Sequence, residues 1–197
     1  MADFSAKTVM DLREQTGQGM MACKKALTDA NGDVAKAVEL LRTRGKDVAV
    51  KKAARATKEG RVGCYIHHTG KLGVMIELNC ETDFVAKGEL FTALVRDLCM
   101  QVASANPEYL KREDVPAHII EKESAIFREQ VKDKPAAIQD KIIAGKMDKW
   151  YAERCLLEQI FIRDDKKAVK DVITEVITKT GENISVARYV RFGLGEG

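Results

Sequence analysis

Residues 61–87 read "RVGCYIHHTGKLGVMIELNCETDFVAK". Two runs in this stretch alternate apolar residues with others, the pattern of strands that bury one face. Val62, Cys64 and Ile66 share one face of the first run; Leu72, Val74, Ile76 and Leu78 share one face of the second. The residues between them predict a hairpin. A two-residue Thr69-Gly70 loop would pair Ile66 with Gly73 and send the two apolar sets to opposite sides. A three-residue His68-Thr69-Gly70 loop pairs Ile66 with Leu72, Cys64 with Val74 and Val62 with Ile76, and places Gly70 where a positive φ is wanted. The three-residue register is the expectation, because a one-residue slip flips every side chain. Asn79 to Lys87 then leaves the second strand through an Asp-Phe pair just before a helical pattern. Asp83-Phe84 is either a helix start or a probe aimed at another molecule. On the first reading Thr82 or Asp83 accepts hydrogen bonds from the opening helical N–H groups and Phe84 packs inward.

Upstream, residues 5–45 read as three short helices. Ser5 caps the first, which carries Val9 and Leu12 and ends near Thr16-Gly17. The second, from about Met20 to Ala30, shows Cys23, Ala26, Leu27 and Ala30 at helical spacing. Asn31-Gly32 breaks it. Asp33 caps the third, with Val34, Ala37, Val38 and Leu41 on one face and Gly45 as its stop. A bundle of about 40 residues is near the lower size limit for independent stability, which favours docking on something. Lys46 to Lys58, Ala-rich and basic, suits a solvent-facing helix or linker that Gly60 ends.

Downstream, a helix is predicted over about Lys87 to Ala105, with Phe91, Leu94, Val95, Leu98 and Val102 on one face and Asn106-Pro107 closing it. Residues 116–132 and 135–155 read as two helices that start at Pro116 and Pro135, an antiparallel hairpin with narrow apolar faces. Asp164 or Asp165 is expected to cap a helix carrying Val169, Val172, Ile173, Val176 and Ile177, stopped by Gly181. "NISVARYVRF" is a last strand. The order predicts an α+β protein with a mainly antiparallel sheet: a three-helix module at 1–45, a basic linker at 46–60, and a core at 61–197 that includes the hairpin 116–155. With three strands in view, one sheet edge is open to pairing with a second copy of the chain.

The 197 residues carry a net charge of +3. Lys46 to Arg61 holds six basic and two acidic residues, a local +4 that leaves −1 for the rest. That permits one basic patch and argues against a broad nucleic-acid surface, the more so because the segment lacks aromatics for base stacking. Cys23, Cys64, Cys80, Cys99 and Cys155 show no CxxC spacing, and an odd count fits a reducing compartment. The opening "MADFSAKTVMDLREQ" has no apolar core of a secretory signal, and no run approaches the ~20 apolar residues of a membrane span. A cytoplasmic protein is expected, with no cofactor and no bound metal. "TGQGMM" lacks the phosphate-loop pattern and reads as a turn between helices; Met20 and Met21 beside it can form an adaptable contact patch, with core packing the expectation for one of them. His67 and His68 sit near the hairpin tip and read as solvated turn residues; neighbours on a strand point to opposite faces and cannot easily share a metal, and His118 stands alone. Cys80 sits beside Glu81 and Asp83, the wrong electrostatics for a thiolate. No catalytic constellation emerges, so an enzyme is not expected.

"TGQGMMACKKAL" (16–27), "NGDVAKAVELLR" (31–42) and "ELNCETDFVAK" (77–87) together closely resemble the bacterial elongation factor Ts family, with "LLEQIFIRDDKKAV" and "ISVARYVRFGLGEG" similar to its later segments. The resemblance implies a guanine-nucleotide exchange factor for elongation factor Tu, the GTPase that carries aminoacyl-tRNA. It implies a ubiquitin-associated-like three-helix module, a dimerisation-type α+β core and a helical hairpin. Longer members carry two core subdomains in tandem. One is visible here, so the resemblance implies the compact form, a homodimer acting on two Tu molecules; no cysteine lies in the last strand, so the association there is expected to be non-covalent. The family's TDFV segment matches Thr82, Asp83, Phe84 and Val85, associated with Mg²⁺ displacement in Tu, and its N-terminal docking role falls on Met20 and Met21. One departure is Ile160, where proline is common. Two other partner classes stay open on the residues alone: a ubiquitin-like fold bound through residues 5–45, and RNA or the ribosome bound through the basic segment.

Overall fold

The structure, a computed structural model, describes residues 4–196; the first three residues of the 1–45 stretch and Gly197 of the core stretch lie outside the described residues. The elements in order are α1 (Ala6–Thr16), α2 (Met20–Asp29), α3 (Val34–Lys52), β1 (Glu59–Ile66), β2 (Leu72–Cys80), α4 (Asp83–Lys87), α5 (Glu89–Ala105), α6 (Ala117–Gln130), α7 (Ala136–Arg154), β3 (Ile160–Phe161), β4 (Asp164–Ala168), α8 (Val169–Thr180) and β5 (Ser185–Gly193). The fold is α+β. Strands β1, β2 and β5 form one sheet with β2 in the middle, and β3 pairs antiparallel with β4. The chain divides into two compact units. The first takes in the chain up to Arg61, with Leu78–Leu94 and Asp171–Ser185; the second takes in Val62–Glu77, Val95–Lys170 and the chain from Val186.

In the first unit α1–α3 close on Val9, Leu12, Cys23, Ala26, Leu27, Ala30, Ala37 and Leu41. The expected caps are present: Ser5 accepts from Thr8 N–H, Asp33 accepts from Lys36 N–H, and Gly17 takes the left-handed conformation at φ 65°. Gly45 does not stop α3, which runs on to Lys52. A Cβ at Gly45 would lie 3.1 Å from Thr178 Oγ1, so this glycine admits a close approach of α8. Arg42 and Lys46 reinforce that approach by pairing with Asp171 at 3.2 and 3.3 Å.

In the second unit the hairpin register differs from the expected one. His67 N–H donates to the Leu72 carbonyl at 2.9 Å, which makes residues 68–71 the loop and puts Ile66 opposite Gly73. Gly70 does take a positive φ, 68°. The slip sends the two apolar sets to opposite faces. Val74, Ile76 and Leu78 are buried, whereas Val62, Cys64 and Ile66 are exposed. The cause is Gly63, whose missing side chain lets β1 press on α5: a Cβ there would meet Val95 Cγ1 at 2.1 Å. His67 and His68 lie at the hairpin turn as expected, since β1 ends at Ile66, but their rings do not point apart: they come together with centroids 4.1 Å apart.

The predicted face of α5 is buried at Phe91, Leu94, Val95, Leu98 and Val102. Helices α6 and α7 form the expected hairpin over Val115, Met147, Trp150 and Cys155. Asp164 does not cap a helix. It opens β4, and α8 starts only at Val169. The buried Gln101 explains the extra strand pair: its amide donates to the Ile160 carbonyl at 3.1 Å, and its oxygen accepts from Ile162 N–H at 2.9 Å. Gln159 stacks onto the same network at 3.2 Å. A buried amide that satisfies a strand edge this way fixes the turn.

Candidate partner-contact site

Strand β2 delivers the chain to Cys80, a buried thiol whose pKa is raised by burial and then by the charge of Glu182. Thr82 follows in the extended conformation and caps α4, its hydroxyl accepting from Val85 N–H at 3.3 Å. α4 is one turn of five residues, too short to stand alone. Its residues point about 100° apart around the axis. Val85 and Ala86 therefore turn into the core while Phe84 turns out, and Phe84 is 83% exposed. The inward packing that the sequence allowed for Phe84 does not occur; Val85 takes that place. Asp83 pairs with Lys87 at 2.7 Å one turn on, which holds the Asp83 carboxyl below its ordinary range. Gly88 breaks the helix with extended backbone before α5, a break the sequence did not signal.

The segment before α4 is held from the far end of the chain. Gly181, at φ 75°, turns the backbone at the end of α8. The Glu182 carboxylate then accepts from Glu81 N–H at 3.2 Å, from Thr82 N–H at 3.0 Å and from the Thr82 hydroxyl at 2.7 Å. In return Asn183 N–H donates to the Glu81 carboxylate at 2.7 Å. That bond, with Arg55 at 3.4 Å behind it, holds Glu81 below its ordinary pKa. The Asn183 amide donates to the carbonyls of Arg55 and Ala53 at 3.0 and 3.4 Å. Glu182 carried no mark in the sequence, since a lone glutamate after a helix-ending glycine looks solvated.

An open groove of about 660 Å³ runs beside Phe84, lined by Val85, Leu90, Phe91, Lys179 and Thr180 among others. Lys179 also meets the α1–α2 turn, its side chain 2.6 to 3.3 Å from where a Cβ on Gly17 would stand. Met20 and Met21 begin α2 just past that turn. Both are exposed, so neither takes the core position expected for one of them. Three basic residues from the end of α3 onward are engaged inside this unit. Lys52 donates to the Gly181 carbonyl, Arg55 pairs with Glu81, and Arg61 donates to the Thr92 hydroxyl. Among the described residues no three His, Cys, Asp or Glu side chains are grouped to hold a metal ion, and no helix is long and apolar enough to cross a membrane.

A short capped helix with an outward ring, after a three-helix module and on an α+β scaffold, can be compared with known proteins. The family model described as elongation factor TS matches residues 1–196. This chain belongs to the elongation factor Ts family. It is 54% identical to elongation factor Ts of Anaeromyxobacter dehalogenans (strain 2CP-1), over 100% of this chain and 91% of that protein. It is 53% identical to that of Thermotoga maritima, over 99% and 98%. Against Caldanaerobacter subterraneus the identity is 52% over 98% of both. As a member of the elongation factor Ts family the chain is a translation factor that exchanges guanine nucleotide on elongation factor Tu, and it is not an enzyme.

Proposed function

We propose that exchange is driven by Phe84, inserted as a wedge into elongation factor Tu next to the elements that support its Mg²⁺. Mg²⁺ demands near-octahedral oxygen ligands and tolerates little displacement, so moving its supports weakens its hold on GDP. Phe84 has the bulk and stiffness for this, burying ~150–250 Å² once inserted. The observation that carries the proposal is a phenylalanine 83% exposed on a helix whose next two residues are buried. Asp83 adds charge-assisted hydrogen bonds to displaced backbone, Thr82 shapes the helix start, and Val85 anchors it. A ten-thousand-fold faster release needs a barrier lower by ~5.5 kcal/mol. One ring supplies part of that, so Met20 and Met21 dock the three-helix module at 1–45 as a second contact. Linkage makes the cycle turn over: weakening of GDP binding by this protein equals weakening of its own binding by GDP, so incoming nucleotide expels it.

The working form is a homodimer. One face of the sheet in the second unit stays apolar and open: Val62 and Ile66 on β1, Met75 on β2, and Val190 and Phe192 on β5 are all exposed. An Arg188–Glu77 pair at 2.7 Å crosses it. A patch of this kind on a soluble chain marks an association surface, and a second copy offers the matching face about a two-fold axis.

Release of a fluorescent GDP analogue from Tu tests the wedge. Phe84→Ala keeps the fold and loses most of the acceleration. Fast release by a folded Phe84→Ala protein overturns the proposal.

A further inference from the structure

A ring with no packing of its own needs something else to fix where it points. Phe84 sits on a single turn, and Val85 and Ala86 anchor only one side of that turn. The other side is set by the Thr82 hydroxyl, which does two jobs. It donates to Glu182 at 2.7 Å and accepts from Val85 N–H at 3.3 Å. A hydroxyl has one proton and rotates freely. Donation to Glu182 fixes that rotor and leaves a lone pair facing Val85 N–H. The same carboxylate collects the Glu81 and Thr82 N–H groups, both just ahead of the helix.

We infer that Glu182 is a positioning residue for Phe84: its carboxylate sets the Thr82 cap and so the attitude of the ring. The inference rests on Phe84 acting as the wedge. Glu182 touches neither nucleotide nor Mg²⁺ in this scheme. It acts through Thr82, and it belongs to the transition state of release more than to docking, because a misdirected ring can bind and still fail to lever.

The test separates these roles. GDP release from Tu is measured against concentration of the full-length protein, for wild type, Glu182→Ala, Glu182→Gln, Thr82→Val and Phe84→Ala, each with a melting curve. Glu182→Ala lowers the maximal release rate by about tenfold to a hundredfold, the scale of a misplaced reacting group. Its half-saturating concentration stays within about threefold, since docking contacts elsewhere are intact. Glu182→Gln retains most of the rate: its carbonyl oxygen can accept the two backbone N–H groups while its amide donates to the Thr82 oxygen. Thr82→Val removes both the Glu182 link and the cap on Val85 N–H and is at least as slow as Glu182→Ala, which keeps the question open to test if that variant fails to fold. Glu182→Ala combined with Phe84→Ala is no slower than Phe84→Ala alone, because a collar without a ring has nothing to aim. If Phe84→Ala releases GDP quickly, the wedge itself is wrong. If Phe84→Ala is slow while Glu182→Ala and Thr82→Val run at the wild-type maximum, only the collar fails. A defect confined to the half-saturating concentration, a Glu182→Gln as slow as Glu182→Ala, or an additive double variant would each overturn the positioning role.

Discussion

Two parts of this molecule leave apolar side chains in water, and they do so in opposite ways. α4 raises one ring from a short helix clamped on both sides. The sheet of the second unit lays out a broad apolar face with nothing raised. A single protruding ring presents little area but a definite shape, which suits a contact that must form, act and break within one turnover. A flat face presents area without projection, which suits a contact that lasts. The polar hardware follows the same division. Before α4 the Glu81 and Thr82 N–H groups are held by Glu182 and the Glu81 carboxylate by Asn183 and Arg55, while the Arg188–Glu77 pair crosses the sheet face.

That contrast can be broken from either side. The largest effect falls on the ring: Phe84→Ala lowers the maximal GDP release rate about a hundredfold, ~2.7 kcal/mol of barrier, while sedimentation shows the association state unchanged. The converse pair, Ile66→Asp with Phe192→Asp, places charge on the sheet face and shifts the sedimenting species from dimer to monomer. Melting at a protein concentration low enough that the wild type is itself monomeric moves little, because both side chains are exposed in the single chain. A dimer that survives both charges removes the sheet face from the interface. Gly63→Val tests why that face points outward: with a Cβ site 2.1 Å from Val95 Cγ1, it costs about 1–3 kcal/mol or more by overpacking, read as a lower melting midpoint. Met21→Asp removes an exposed apolar contact and raises the half-saturating concentration for Tu by roughly tenfold at an unchanged maximal rate, in line with ~1.5 kcal/mol for one buried side chain. The smallest effect concerns Asp83. Its pKa is depressed by Lys87, so its contribution to stability is present above the ordinary 3.8 and fades as pH falls through the lowered value. Asp83→Asn therefore lowers the melting midpoint slightly near neutral pH, and the gap to wild type closes as pH falls through that window; a gap that persists in acid rules out the ion pair as its source.

Much of this was legible from spacing. The caps at Ser5 and Asp33, the buried face of α5 and the helical pair that starts at Pro116 and Pro135 all follow from local rules that the fold does not override. The misses in β1, α3 and β4 share a cause: each turned on a partner distant in sequence. Alternation in β1 and β2 gives two faces per strand, but which face is inside depends on Gly63 meeting Val95. Gly45 looks like a stop until α8 is beside it, and Asp164 looks like a cap until Gln101 supplies the hydrogen bonds that favour a strand. Around Phe84 the Thr82 cap was readable and the outward ring was one of two options. Glu182 was not readable, because a carboxylate that holds backbone N–H groups a hundred residues away leaves no local pattern.

The bond between Thr82 and Glu182 spans 100 positions of chain. A polypeptide emerging from the ribosome therefore has its aromatic tooth long before it has the brace that sets it. On the proposed scheme, fragments broken off ahead of residue 182 carry the tooth unbraced and do not speed the release of nucleotide.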